Sequence, residues 1–395
     1  MKMRSLELFS GAGGLAKGLE NSGFRHAALV EFNKDACASL SENFDKDKVF
    51  FGDIKDFELE SISDIDLVVG GPPCQPFSLG GKHQAENDHR DMFPYAIEAI
   101  EKLAPKAFIF ENVKGLLRSA FSEYFEYLIL RLTYPSLRAK NNQEWKFHLN
   151  QLRNVTRGSY AGIKYDVSYK LVNAANYGVP QTRERVIIVG LRSDLNLPWS
   201  FPEETHSEDR LLWEMLVTGE YWQRHSIPTK TQVKEKIFRL TERYGLFEPE
   251  QAAWQTVRDA LSGIPHPKEK HGIADHVFRD GARTYPGHTG SEIDWPAKTL
   301  KAGGHGVPGG ENMIRYEDGS VRYFSVFEAK RLQTFPDDFV IKGAWGEAMR
   351  QIGNAVPVRL GEIIGKHLAN TLNADSLRQT GVREIGFYDH YAQSF

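Results

Sequence analysis

The chain has 395 residues, 41% of them hydrophobic and 26% charged, which is ordinary for a globular protein of two or three structural units. Its 49 Lys and Arg against 52 Asp and Glu leave a net charge of −3, which excludes a uniformly basic nucleic-acid coat. No run nears the ~18 apolar residues of a membrane helix, and Cys37 and Cys74 are too few for a disulfide framework or a cysteine-rich zinc site. With no secretory leader in MKMRSLELFSGAGG, a reducing, cytoplasmic setting without membrane contact is expected.

The apolar run SLELF (5–9) predicts a buried strand, and a helix opens at Gly13 and runs to Asn21. HAALVEF (26–32) predicts a second strand and Lys34–Asn43 a second helix. Further strands are expected at Asp66–Gly70 and Lys106–Phe110, separated by a helical stretch Met92–Leu103, and another at Val186–Leu191. This alternation predicts an α/β fold: a mainly parallel sheet, helices on both faces, and ligands at the carboxyl ends of the strands. Residues 131–170 carry eight basic side chains against Glu144 and Asp166, net +6, which reads either as a solvated helical face or as a surface for a polyanion.

Beyond residue 192 the alternation stops. Residues 193–325 mix Pro, Gly, His and Trp with helices expected near 208–219 and 231–244. KAGGHGVPGG (301–310) holds five glycines in ten residues, suited to a flexible linker or to close backbone approach by a partner. Apolar order returns at Phe324–Phe335, and the helical spacing of Val358–Leu372 is expected to pack back on the sheet. The expected division is a first unit over 1–192, an inserted smaller and irregular unit over 193–325, a return to the first unit over 326–374, and a tail over 375–395 without an assigned role.

Phe9-Ser-Gly-Ala-Gly-Gly links the first strand to the first helix, and its glycines allow a tight turn with amides facing a ligand. Gly11-x-Gly13-x-x-Ala16 also satisfies the relaxed dinucleotide fingerprint, so this loop alone does not separate NAD from other nucleoside cofactors. Glu31 closes the second strand, and Asp53 of GDI (52–54) follows it. Singly each reads as a surface or capping acid; together, at successive strand ends, they favour a nucleoside pocket. The segment Gly70-Gly-Pro-Pro-Cys-Gln-Pro-Phe-Ser78 then sets Cys74 on a proline-stiffened loop at a strand end, where a positive field lowers a thiol pKa. Cys37, within a helix, reads as a small core residue instead.

Pro73-Cys74-Gln75 resembles the catalytic motif of the DNA (cytosine-5) methyltransferases of bacterial restriction-modification type. LELFSGAGGL, Glu31, GDI, ENVKGL (111–116), QTRERV (181–186), RLQTFPDDF (331–339) and QIGNAVPVRLG (351–361) follow the motif order of that family over most of the chain. The resemblance implies a Rossmann-like S-adenosylmethionine-dependent methyltransferase fold plus a target-recognition domain, with S-adenosylhomocysteine as product and no metal. It implies that Phe9 stacks on the adenine and that Gly11, Gly13, Gly14, Glu31, Asp53, Ile54, Pro73, Met92, Asn354 and Val356 line the cofactor site.

The chemistry implied is attack of the Cys74 thiolate on C6 of cytosine, which enriches C5 in electron density. Glu111 serves N3, a role that calls for a proton-carrying carboxyl in the closed site. Arg185 holds O2, and Arg183 positions the catalytic loop or a phosphate. Because a stacked base is out of reach, the cytosine must flip out of double-stranded DNA, with Leu79–Asp91 as a closing loop. Gln75, Ser78, Lys82, Lys298, Thr299, Lys301 and His305 are the expected DNA contacts, and a monomer is expected. A cognate restriction endonuclease acting separately stays open as a partner. Two other readings share these motifs, a tRNA cytosine methyltransferase and an inactive DNA-binding paralogue. A dinucleotide oxidoreductase leaves Pro-Cys-Gln, ENV and QTRER without work. The tRNA branch carries Cys-Phe-Thr, a tripeptide missing from this chain.

Overall fold

The computed structural model describes residues 2–73, 91–140, 143–155, 160–229, 234–302 and 312–379. Seven strands form the main sheet: β1 (Arg4–Leu8), β2 (Arg25–Glu31), β3 (Val49–Phe51), β4 (Leu67–Gly70), β5 (Ala107–Val113), β6 (Tyr165–Asn173) and β7 (Glu184–Arg192). Their order is β3-β2-β1-β4-β5-β7-β6. All neighbours are parallel except β7, which runs antiparallel to both β5 and β6. The five apolar runs are thus β1, β2, β4, β5 and β7, and the helix Lys34–Asn43 has its expected bounds.

Two strands were not among those expected. β3 has only three residues, none of them buried; β6 is an edge strand whose residues Tyr165–Leu171 alternate apolar and polar, a signal that lay inside the segment read for its charge. The direction of β7 follows from chain length. Only residues 174–183 separate it from β6, too few for the crossover that a parallel pair requires.

Alternate residues of the central strands feed two cores. Leu6, Leu8, Val68, Phe108, Phe110 and Ile188 pack against the helices Phe93–Leu103 and Ser122–Thr133. Leu67, Val69, Ile109, Ile187 and Val189 face the helices Gly14–Asn21 and Val358–Gln379. Leu360, Ile364, Leu368 and Leu372 supply the second helix's buried stripe, as their spacing predicts. These two helices touch so closely that a Cβ at Gly18 would lie 2.6 Å from the Val358 carbonyl oxygen. A third core joins Val257, Ala297, Leu300, Ile314 and Phe324 to Ala12, Ile352 and Val358. In the region 193–325 the first expected helix is shorter, Glu208–Trp213 continued by a π turn to Thr218, and Gly219 breaks it with φ of +77°. The second runs Lys234–Tyr244.

Glu7 is the unusual member of β1: an acidic residue, 1% exposed, among apolar neighbours. The helix Gly14–Asn21 begins at Gly13, which has no side chain to cap it. Glu7 accepts from the Ala16 amide beneath that helix start, while its Oε2 has no partner among the described residues. Burial pushes its carboxyl from the ordinary 4.5 up to about 8. The folded chain therefore keeps a proton that the unfolded chain loses between these values, and stability falls as pH rises through that window by up to about 1.4 kcal/mol per pH unit. Glu7→Gln keeps the acceptor for Ala16 and removes the titration. Urea unfolding at pH 6, 7 and 8 should show the variant gaining on wild type at each step; parallel curves would contradict the assignment.

Candidate active site

The parallel strands bring their carboxyl ends to one edge of the sheet, and the expected site residues collect there. Phe9 leaves β1 with φ of +56°, a left-handed conformation costly for a bulky side chain and characteristic of functional turns. Gly11 and Gly13 continue at +53° and +83°. A Cβ at Gly11 would meet nothing within 4 Å, so the loop is open on that side. A Cβ at Gly14 would instead lie 2.2 Å from the Val356 carbonyl oxygen, which fixes the loop against the returning chain.

Glu31 ends β2 and orders this loop. Its Oε2 accepts from the Gly11 amide at 2.8 Å, and its Oε1 accepts from the amides of Phe32 at 3.1 Å and Asn33 at 2.8 Å. Asp53, after β3, accepts from the Lys55 amide at 3.0 Å and caps the turn Ile54–Asp56, with Ile54 buried. Both acids thus cap local backbone while standing at adjacent strand ends. Cys37 donates its thiol to the Glu31 carbonyl at 3.1 Å, and burial pushes its pKa up to about 12, as suits an inert core thiol.

The segment after β4 is held at both roots. Asn112 donates from Nδ2 to the Pro72 carbonyl at 3.0 Å, and the Met92 amide donates to the Pro73 carbonyl at 3.2 Å. Pro73 is exposed and Met92 half-buried. Cys74, Gln75, Ser78, Lys82 and most of the expected closing loop 79–91 lie outside the described residues, as does His305.

Glu111 sits near the end of β5. Because β7 runs antiparallel, its first residues return to the same edge, and Arg185 pairs in register with Val113. The Arg185 Nε lies 2.6 Å from Glu111 Oε1, and both side chains are largely buried. A Cβ at Gly71 would stand 3.3 Å from Glu111 Oε2, so the carboxyl lies against the backbone three residues before Cys74. An acid and a guanidinium joined beside that root are equipped to grip a planar, hydrogen-bonding ring.

Arg183 takes another course. It is 1% exposed, and its Nη2 donates to the carbonyls of Gly353 and Ala355, both at 2.9 Å. Burial and the neighbouring Arg185 disfavour its charge, while Glu111 favours it. Through the carbonyls of Gly353 and Ala355, Arg183 clamps the QTRER turn to the QIGNAV helix end. Gln181 and Gln333, for which the sequence suggested no part, do similar work. Gln181 accepts from the Leu300 amide at 3.0 Å, and Gln333 donates to the Ile352 carbonyl at 2.7 Å. Their signal was visible as uncharged amides within the QTRERV and RLQTFPDDF motifs. Asn354 is exposed at this helix end and Val356 buried.

The expected DNA-contact segment is docked beside this hub. The Thr182 amide donates to the Ala297 carbonyl at 2.8 Å, and the Thr299 hydroxyl donates to the Thr182 carbonyl at 2.8 Å. Lys298 donates to the Thr289 hydroxyl at 2.7 Å, and the exposed Lys301 has its backbone bracketed by Asn312. A Cβ at Gly353 would lie 2.7 Å from the Ala302 amide nitrogen, so this segment leaves from the neighbourhood of Asn354. Four of the eight basic side chains of segment 131–170 pair with acids: Arg138 with Glu101, Arg153 with Glu126, Lys164 with Asp166 and Lys170 with Glu204. Arg131 turns inward to the Leu137 carbonyl.

The family model for C-5 cytosine-specific DNA methylase matches residues 3–134 and 137–370. The chain belongs to that family. Among its relatives, the Type II methyltransferase M.NgoMIV of Neisseria gonorrhoeae is 30% identical over 380 residues, covering 95% of this chain and all of that one. M.Sau96I of Staphylococcus aureus is 31% identical over 381 residues, covering 93% and 76%. Among solved structures, a chain described as a DNA modification methyltransferase encoded within a prophage (E. coli) superposes with a TM-score of 0.59 at 21% identity, covering 94% of this chain and 99% of that one. A DNMT2 variant of Spodoptera frugiperda gives 0.59 at 17%, covering 93% and 99%. These likenesses carry the methyltransferase fold, with its mainly parallel sheet. Among the described residues no helix is long and apolar enough to cross a membrane.

Proposed function

We propose that this C-5 cytosine methylase transfers a methyl group from S-adenosylmethionine to C5 of a cytosine flipped out of a short, specific duplex DNA sequence. The observation that carries the reading is the Glu111–Arg185 pair, held at 2.6 Å beside the backbone that leads to Cys74. The strand-end loop suits the cofactor: Gly11 is open on its outer side, and Phe9, Glu31, Asp53 and Ile54 stand around the same edge. These residues, with Gly13, Gly14, Pro73, Met92, Asn354 and Val356, would hold S-adenosylmethionine, which supplies an electrophilic methyl group.

The chain's own residues prepare the base. The Cys74 thiolate forms a bond to C6, and the C5–C6 π pair moves onto C5, delocalised through C4 to N3. Glu111 shares a proton with N3, so the developing charge is not left on the ring. Arg185 holds O2 while orienting the Glu111 carboxyl. Once C5 carries the methyl group, its proton leaves to water, the C–H electron pair restores the C5–C6 double bond, and Cys74 departs from C6 as the thiolate. Arg183 acts at one remove, fixing the turn from which Arg185 projects.

On this reading, residues 193–325 form the target-recognition unit, with 1–192 and 326–374 as the catalytic unit. Lys298, Thr299 and Lys301, with Gln75, Ser78, Lys82 and His305, contact DNA. The enzyme works as a cytoplasmic monomer, and a restriction endonuclease would act separately on the same sequence. Labelled methyl transfer from S-adenosylmethionine tests the substrate: incorporation is expected into unmethylated duplex DNA and not into tRNA. Incorporation confined to tRNA would overturn the proposal.

A further inference from the structure

The stretch between ENVKGL and QTRERV contains a helix, Trp145–Arg153, that packs on the outer side of the helix Ser122–Thr133. Trp145 lies edge-on to Tyr124 at 5.7 Å and tilted against Tyr127 at 5.6 Å. The Tyr127 hydroxyl meets His148 Nδ1 at 3.1 Å, and Arg153 grips Glu126 through two hydrogen bonds of 2.8 and 2.6 Å. The chain before this helix also reaches the helix Phe93–Leu103, through Arg138 and Glu101 at 2.8 Å.

The braced Tyr124 is tied to the chain ahead of the helix Phe93–Leu103. Its hydroxyl donates to Asp91 Oδ2, while Asp91 Oδ1 accepts from the Phe93 amide at 3.1 Å. Asp91 therefore fastens the start of the helix Phe93–Leu103 immediately before Met92, whose amide holds the Pro73 carbonyl. A cavity of about 320 Å³ adjoins this contact, lined by Asp91, Phe93, Tyr124, Tyr127 and Arg131 among others. The bond from Tyr124 to Asp91 is directed and charge-assisted.

We propose that Tyr124, braced by the helix Trp145–Arg153, is a positioning residue that fixes the root of the Cys74 segment through Asp91. The inference rests on Cys74 being the nucleophile. Tyr124→Phe removes only the hydroxyl. It should lower kcat for DNA methylation about tenfold, the scale of one hydrogen bond to a charged group, with the Kd for S-adenosylmethionine and the KM for DNA within about twofold of wild type. Asp91→Asn keeps an acceptor oxygen for the Phe93 amide and turns an N–H donor toward the Tyr124 oxygen, so it should retain more activity than Asp91→Ala, which keeps neither contact. Adding Tyr124→Phe to Asp91→Ala should cost nothing further, because both break one link.

An unchanged kcat for Tyr124→Phe, or additive losses in the double variant, would overturn the proposal. If Tyr124→Phe does not fold, the comparison of Asp91→Asn with Asp91→Ala decides: equal losses overturn it. Cys74→Ser in the same assay separates the two layers. Turnover by that variant removes the nucleophile reading and this proposal with it. An inactive Cys74→Ser beside a fully active Tyr124→Phe removes the positioning role alone.

Discussion

Cys74→Ser should abolish methylation while S-adenosylmethionine still binds. A serine hydroxyl at neutral pH is a far weaker nucleophile than a thiolate. Loss of the covalent step should leave less than about a thousandth of the wild-type rate. The cofactor residues at the carboxyl ends of β1, β2 and β3 are anchored by contacts that do not involve Cys74. Glu31 is tied to Gly11, and Gly14 rests on Val356. Cofactor affinity, read by calorimetry, is therefore expected to stay within about twofold of wild type, since surface and neutral substitutions seldom propagate to an independent site. Rapid turnover by the serine variant would remove the covalent mechanism.

Glu111→Gln should be the next most damaging change. Glutamine preserves shape, can still accept from Arg185 through Oε1 and can donate an amide N–H, yet it has no acidic proton to transfer to N3. A positioned acid–base group is worth about 10²–10⁴ in rate, and a loss of this order is expected in the single-turnover rate with saturating DNA. The substitution also leaves the Arg185 guanidinium, itself largely buried, without its carboxylate. Some loss of stability is expected for that reason, because an uncompensated buried charge is costly. Urea unfolding run beside the kinetics separates the two effects. A rate within threefold of wild type for folded protein, taken as about 0.6 kcal/mol, would show that N3 needs no help from this side chain.

How much was legible depends on whether a signal is local. The runs that became β1, β2, β4 and β5 are apolar because both faces of those strands are covered, a property written into consecutive residues. The placement of Glu111 with Arg185 depended on the antiparallel direction of β7, which no single run of residues displays. Arg183 and Arg185 are two residues apart and chemically alike, yet one clamps the carbonyls of Gly353 and Ala355 while the other meets Glu111. That difference arises from where the returning chain packs. The basic segment shows the same limit. Its +6 charge is a local sum, whereas Glu101, Glu126 and Glu204 come from outside the segment to pair with it. Tyr124 and Asp91 lie 33 residues apart and belong to no motif, so their contact appears only in the fold.

The most direct measurement is base-resolution mapping of 5-methylcytosine in the genome of a methylation-free bacterial host expressing this chain or its Cys74→Ser variant at matched levels. Methylation of one cytosine within one short sequence, present with wild type and absent with the variant, is the predicted result. An unmethylated genome in cells holding folded, S-adenosylmethionine-binding protein would contradict it.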